Sequence, residues 1–140
     1  MTAPKHTAVR RFAEILLLAS MHPGCLGGEP PTTPPGTASW DDTAVSHRGH
    51  DGERFTYRCP IGCPSACPYV GTVRPVWGTD VYTDDSSVCT AAAHVGVITF
   101  QSGGSVTIEI RPGQARYVGS SRNDVSSRDS GPTPGSFVFP

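Results

Sequence analysis

Sixteen glycines and fourteen prolines run through this chain of 140 residues, and one segment between them has the makings of a helix. It is Ser87 to Val95, read SVCTAAAHV. Ser86 stands where a capping side chain is needed, Asp84 and Asp85 bring negative charge to the positive end, and Gly96 is placed to stop the helix. So short a helix does not survive alone in water, so packing must hold it. Ala91, Ala92 and Ala93 carry so little side chain that strands can approach on more than one side. The expected core is therefore a stubby helix enclosed by sheet; long-helix bundles and coiled coils are excluded.

The strands announce themselves by alternation. Ser105 to Ile110 puts Val106, Ile108 and Ile110 on one face and Thr107 and Glu109 on the other. Arg54 to Arg58 alternates in the same way, Val76-Trp77 and Val81-Tyr82 are short β-type pairs, and Tyr117-Val118 and Phe137 to Phe139 read as further short strands. Val97 to Phe100 is a β-branched run separated from the main strand by Gln101-Ser102-Gly103-Gly104, so a hairpin is expected there. The fold class is α+β: one central short helix with irregular, mainly antiparallel sheets.

Lys and Arg number 11 against 12 Asp and Glu, a formal net charge of −1, so no positive field exists to attract nucleic acid. No apolar stretch reaches the roughly 18 residues a membrane helix needs. At the amino terminus, Lys5, Arg10 and Arg11 precede an apolar run from Ile15 to Met21 and the small residues around Gly24-Cys25, the order of an export signal over residues 1–25. Gly24-Cys25 resembles the lipobox of bacterial lipoproteins, with His22 where that pattern has an aliphatic residue; ordinary cleavage nearby, or none, are the other readings. Residues 26–52 carry Pro30, Pro31, Pro34 and Pro35 and few large apolar groups, and are expected as a flexible linker with solvated His47 and His50. The folded domain is then expected over 53–140.

The run from Val76 to Ile98, with Tyr82, Ser86, Cys89, Ala91-Ala92, His94 and Gly96-Val97-Ile98, resembles the signature of the LCCL domain, and Gly103 to Thr107, Pro112 to Gln114, Tyr117, Gly119-Ser120, Val125 and Gly135 to Phe139 continue it in order. The resemblance covers about Phe55 to Phe139. It implies a disulfide-stapled module of exported proteins, non-catalytic, without cofactor, and binding lipopolysaccharide, other envelope glycans or extracellular protein. It makes Ser86, His94 and Gly96 structural motif residues. Localisation follows as secreted, or held at the cell envelope by lipid on Cys25.

The same resemblance gives Cys89 as the helix cysteine and pairs it with Cys63, which leaves Cys59 for Cys67. Two other connectivities stay open: Cys59 to Cys89 with Cys63 to Cys67, and Cys67 to Cys89 with Cys59 to Cys63. Cys59, Cys63 and Cys67 with Cys89 or His94 also suit a zinc site, but an exported chain meets oxidising conditions that favour bridges.

His94, in the last helical turn, is expected as a hydrogen-bonded structural residue. A hydrolase would need a nucleophile and an orienting carboxylate, and Ser86, Ser87, Asp84 and Asp85 sit in no nucleophile-elbow pattern. Asp80, Asp84 and Asp85 do not fit a calcium loop. Ligand contact is expected from the loops after the main strand, at Arg111, Arg116, Tyr117 and Arg122, with Asn123 and Arg128 beside them, because the guanidinium fork suits carboxylate and phosphate.

Overall fold

The computed structural model describes residues 36–62 and 74–140. The expected export signal, Cys25, residues 26–35, Cys63 and Cys67 lie outside the described residues. After a single 3-10 turn at Val45–His47 come β1 (Arg54–Cys59), β2 (Gly78–Thr79), β3 (Val81–Thr83), α1 (Val88–Val95), β4 (Gly104–Pro112), β5 (Ser121–Arg122), β6 (Val125–Ser126) and β7 (Gly135–Val138). Five strands form one antiparallel sheet in the order β1-β4-β7-β3-β2, and β5 and β6 form a separate hairpin. The expected α+β class holds.

β4 is the axis of the sheet. Its alternation buries Val106, Ile108 and Ile110, and sets Tyr57 opposite Val106, Phe55 opposite Ile108 and Phe137 opposite Ile110. Both its edges are thereby taken, by β1 and β7. The run from Val97 to Phe100 consequently finds no strand to pair with, contrary to the expected hairpin. Gly96, at φ +91°, turns the chain out of the helix, and the N–H of Val97 still bonds back to Ala92 O at 3.0 Å. Ile98 and Phe100 are buried in the core instead, Phe100 against Trp40.

α1 is buried along its whole length save Val95, and it packs against β1 as well as β5 and β6. Its cap is Ser87 rather than Ser86: Ser87 Oγ accepts from Thr90 N at 3.1 Å and donates to Trp40 O at 2.6 Å. Ser86 instead anchors the preceding loop, its Oγ accepting from Trp77 N at 3.0 Å. Asp84 does not serve the helix end; it forms a two-point pair with Arg48, at 2.5 Å and 3.1 Å.

Two further sequence expectations are corrected by the packing. Residues 36–52 are not a linker: Ala38, Trp40 and Ala44 are buried in the core, Trp40 packs on Phe100 with ring centroids 5.1 Å apart, and Ala38 N–H bonds to Arg58 O at 2.8 Å. This segment is poor in apolar residues, but the few it has drop into sites made by remote parts of the chain, and Thr37 bridges to Arg58 and covers the outer edge of β1. The helix bridge is Cys59–Cys89, with Cα atoms 5.5 Å apart, and not Cys63–Cys89. Cys59 lies on the inward face of β1 with Phe55 and Tyr57, which aims its sulfur at the first turn of α1.

Candidate functional site

His94 is fully buried, and both its nitrogens are engaged. Nε2 lies 3.1 Å from the carbonyl oxygen of Ser120, which can only accept, so Nε2 carries the proton; Nδ1 then accepts from the Tyr82 hydroxyl at 2.8 Å. Burial pushes the His94 imidazole below its ordinary value, outweighing the bond to Ser120, and pushes the Tyr82 phenol up to about 12. Imidazole and phenol both stay neutral. A neutral histidine held at both ends by hydroxyl and carbonyl is a tie between α1, β3 and the strand-like segment at Ser120. Ser120 Oγ stands 3.3 Å from Nε2, but no carboxylate orients the other nitrogen, so the arrangement is not a nucleophile, base and orienter in series.

The expected binding residues are not all brought together. Arg111 is held by Glu109 at 2.6 Å, and Glu109 also takes Arg54 at 3.0 Å, a pairing across the sheet surface. Arg122 pairs with Asp80 at 2.7 Å. Asn123 is a helix cap: its Nδ2 donates to His94 O at 2.9 Å, and with Asp124 it forms the two-residue turn of the β5–β6 hairpin, both at positive φ. Arg116 and Tyr117 do meet, on one groove of about 440 Å³. The size lies within the range of small-ligand clefts.

Thr79 and Val81, from β2 and β3, form one side of that groove, and Gln114 with residues 116–120 forms the rest. Tyr117 is a fixed part of the floor, buried, with its hydroxyl accepting from Gln114 N at 2.8 Å and bonded to Thr133 Oγ1 at 2.7 Å. The loop lies hard against its neighbour because glycine permits it. A Cβ on Gly113 would fall 1.7 Å from Thr133 O, and one on Gly119 would fall 2.6 Å from Ser127 O. Arg116 has no carboxylate partner among the described residues, and Val118 is exposed. Thr79, Gln114, Val118 and Ser120 were not foreseen as site residues; the glycines at 113 and 119, flanking the loop, were the available signal.

The remaining candidates resolve into structure. His47 stacks on Phe55 with centroids 3.6 Å apart and so is not a solvated linker histidine, whereas His50 is exposed to solvent, its Nδ1 3.3 Å from the exposed Glu53. Burial, and then the neighbouring His50, hold His47 below its ordinary value against the opposing pull of Glu53. Among the described residues no three His, Cys, Asp or Glu side chains cluster as a metal site would require. No helix among them is long and apolar enough to cross a membrane.

The family model described as the LCCL domain matches residues 37–137, taking in the segment around Trp40 as well as the helix and the groove. The chain is similar to the human Cysteine-rich secretory protein LCCL domain-containing 2, 42% identical over 81 residues, which are 56% of this chain and 16% of that protein. It is similar also to human Vitrin, 42% identical over 73 residues (52% of this chain, 10% of that one), and to Clotting factor C of Tachypleus tridentatus, 34% identical over 99 residues (71% and 9%). It thus spans no more than 16% of the length of these relatives. With the enclosed alanine-rich helix, its His94 tie and its sulfur bridge in place, the chain belongs to the LCCL domain family.

Proposed function

We propose that this chain is an exported, non-catalytic binding module, acting at or outside the cell surface, with envelope glycan or lipopolysaccharide as its ligand class. The observation that carries the reading is a division of labour among polar groups. The buried groups with catalytic potential, His94 and Tyr82, bond to each other and to the backbone of Ser120, whereas Arg116, with no carboxylate partner among the described residues, lines an open groove. Export is supported by the basic and apolar order of residues 1–25 and by likeness to a relative that is named a secretory protein. Lipid on Cys25 is the proposed anchor; Cys25→Ala should release the mature chain from the membrane fraction, and unchanged partitioning would remove the anchor.

A second reading, a structural or protein-interaction module, is favoured by the exposed Val97 and Val118, 54% and 58% accessible. Binding of the full chain to immobilised lipopolysaccharide, envelope glycans and extracellular proteins separates the two. Retention by glycan surfaces supports the first; retention by protein baits alone, with every glycan washing through, contradicts it.

A further inference from the structure

Arg116 is the one charged side chain among the groove's lining residues, and a single guanidinium narrows the anionic ligands that fit. Arg122, the next cation along the chain, is paired with Asp80 at 2.7 Å, and Arg128, on the segment packed against Gly119, is not among the lining residues. On the far side of the loop, Asp129 Oδ1 accepts from Gly119 N at 2.7 Å, so a carboxylate stands behind the groove wall. Arg116 is left to meet the ligand. A phosphate monoester brings about −1.5 to −2 at neutral pH and would leave charge uncompensated beside Asp129. A carboxylate brings one charge and two coplanar oxygens, which match the guanidinium fork.

The rest of the lining is uncharged and mixed. Gln114 offers an amide with donors and an acceptor. The hydroxyls of Thr79 and Ser120 bond to each other at 2.7 Å and keep lone pairs free for a further donor. Val118, exposed in the same lining, is an apolar surface on which the C–H face of a sugar ring can rest.

Resting on the reading of the chain as a glycan-binding module, we propose that this groove takes a sugar acid, a uronate unit of an acidic glycan, with its carboxylate on Arg116 and its ring over Val118. The test is a nitrogen–proton correlation titration of the full chain with three probes: an oligogalacturonate, the same oligosaccharide with its carboxyls reduced to alcohols, and a phosphorylated lipopolysaccharide. Saturable shifts at the amides of Gln114 to Ser120 are expected with the oligogalacturonate, with at least tenfold weaker binding of the reduced probe. Arg116→Gln, at an exposed side chain, should weaken oligogalacturonate binding by a similar factor while the Tyr82 and His94 amides keep their unliganded positions. Equal binding of charged and reduced probes, or shifts confined to other loops, would overturn the assignment. Response to lipopolysaccharide alone would also overturn it and leave the broader glycan reading standing; silence toward all three probes would contradict both.

Discussion

The hydroxyl of Tyr82 and the Nδ1 of His94 meet at 2.8 Å in the middle of the molecule, joining β3 to the last turn of α1. Because His94 Nε2 is spent on Ser120 O, the pair forms one chain of donors from phenol to imidazole to backbone. Tyr82→Phe leaves a buried Nδ1 without a donor, and the expected cost is about 1–3 kcal/mol. His94→Ala removes both bonds and opens a cavity, so a larger loss, about 3–5 kcal/mol, should appear as a shift in the urea midpoint.

The Cys59–Cys89 bridge spans 30 residues of sequence, for which the chain-entropy relation gives about 3–4 kcal/mol. Cys59→Ala should lower stability by about that much. Peptide mapping without reductant should recover Cys59 linked to Cys89. The remaining proposal, Cys63 paired with Cys67, is checked in the same map; a Cys63–Cys89 peptide would contradict the observed bridge.

A fragment beginning at Glu53 should fail to fold, whereas the full chain should give a single cooperative transition. Loss of Trp40 alone empties a core site worth about 3–5 kcal/mol, a large part of the stability of a domain of this size. Asp84, itself buried, would lose Arg48 at the same time. Far-ultraviolet and near-ultraviolet dichroism of the fragment decides the point: native spectra from Glu53 onward would contradict a core that needs residues 36–52.

Gly96→Ala places a side chain at φ +91° and 2.9 Å from Asn123 Nδ2, at an expected cost of about 1–2 kcal/mol. Asn123→Ala should cost about 1 kcal/mol through the lost bond to His94 O and leave ligand binding unchanged. Thermal melts and the titration described above read the two effects separately; weakened binding in Asn123→Ala would place that residue in the groove after all.

Local rules carried the reading of β1, β4 and α1. Alternation exposes which residues of β4 face inward, and the alanine triplet with Gly96 marks a helix that must be enclosed. What stayed hidden is non-local. Trp40 and Ala44 are isolated apolar residues among prolines, threonines and charges, and their burial depends on Phe100, Ser87 and Asp84, far along the chain. Val97 to Phe100 has the composition of a strand, but β4 has no free edge to offer it. Arg111 and Arg122 look like Arg116 in sequence; only the placement of Glu109 and Asp80 shows that they are occupied.

The structural role of His94 is most directly tested by its ring nitrogens. Burial keeps the imidazole neutral in the fold, so stability should be full above about pH 6.5 and decline as pH falls below it, where the unfolded chain takes up the proton first. His47, also held low, adds in the same direction, and His47→Gln isolates the His94 share. Long-range nitrogen–proton spectra of the folded protein should show His94 as the Nε2–H tautomer, remaining neutral when the pH is brought below 6.5. An Nδ1–H tautomer, or an imidazolium at pH 7, would contradict a histidine that ties the helix to its sheet through Tyr82 and Ser120.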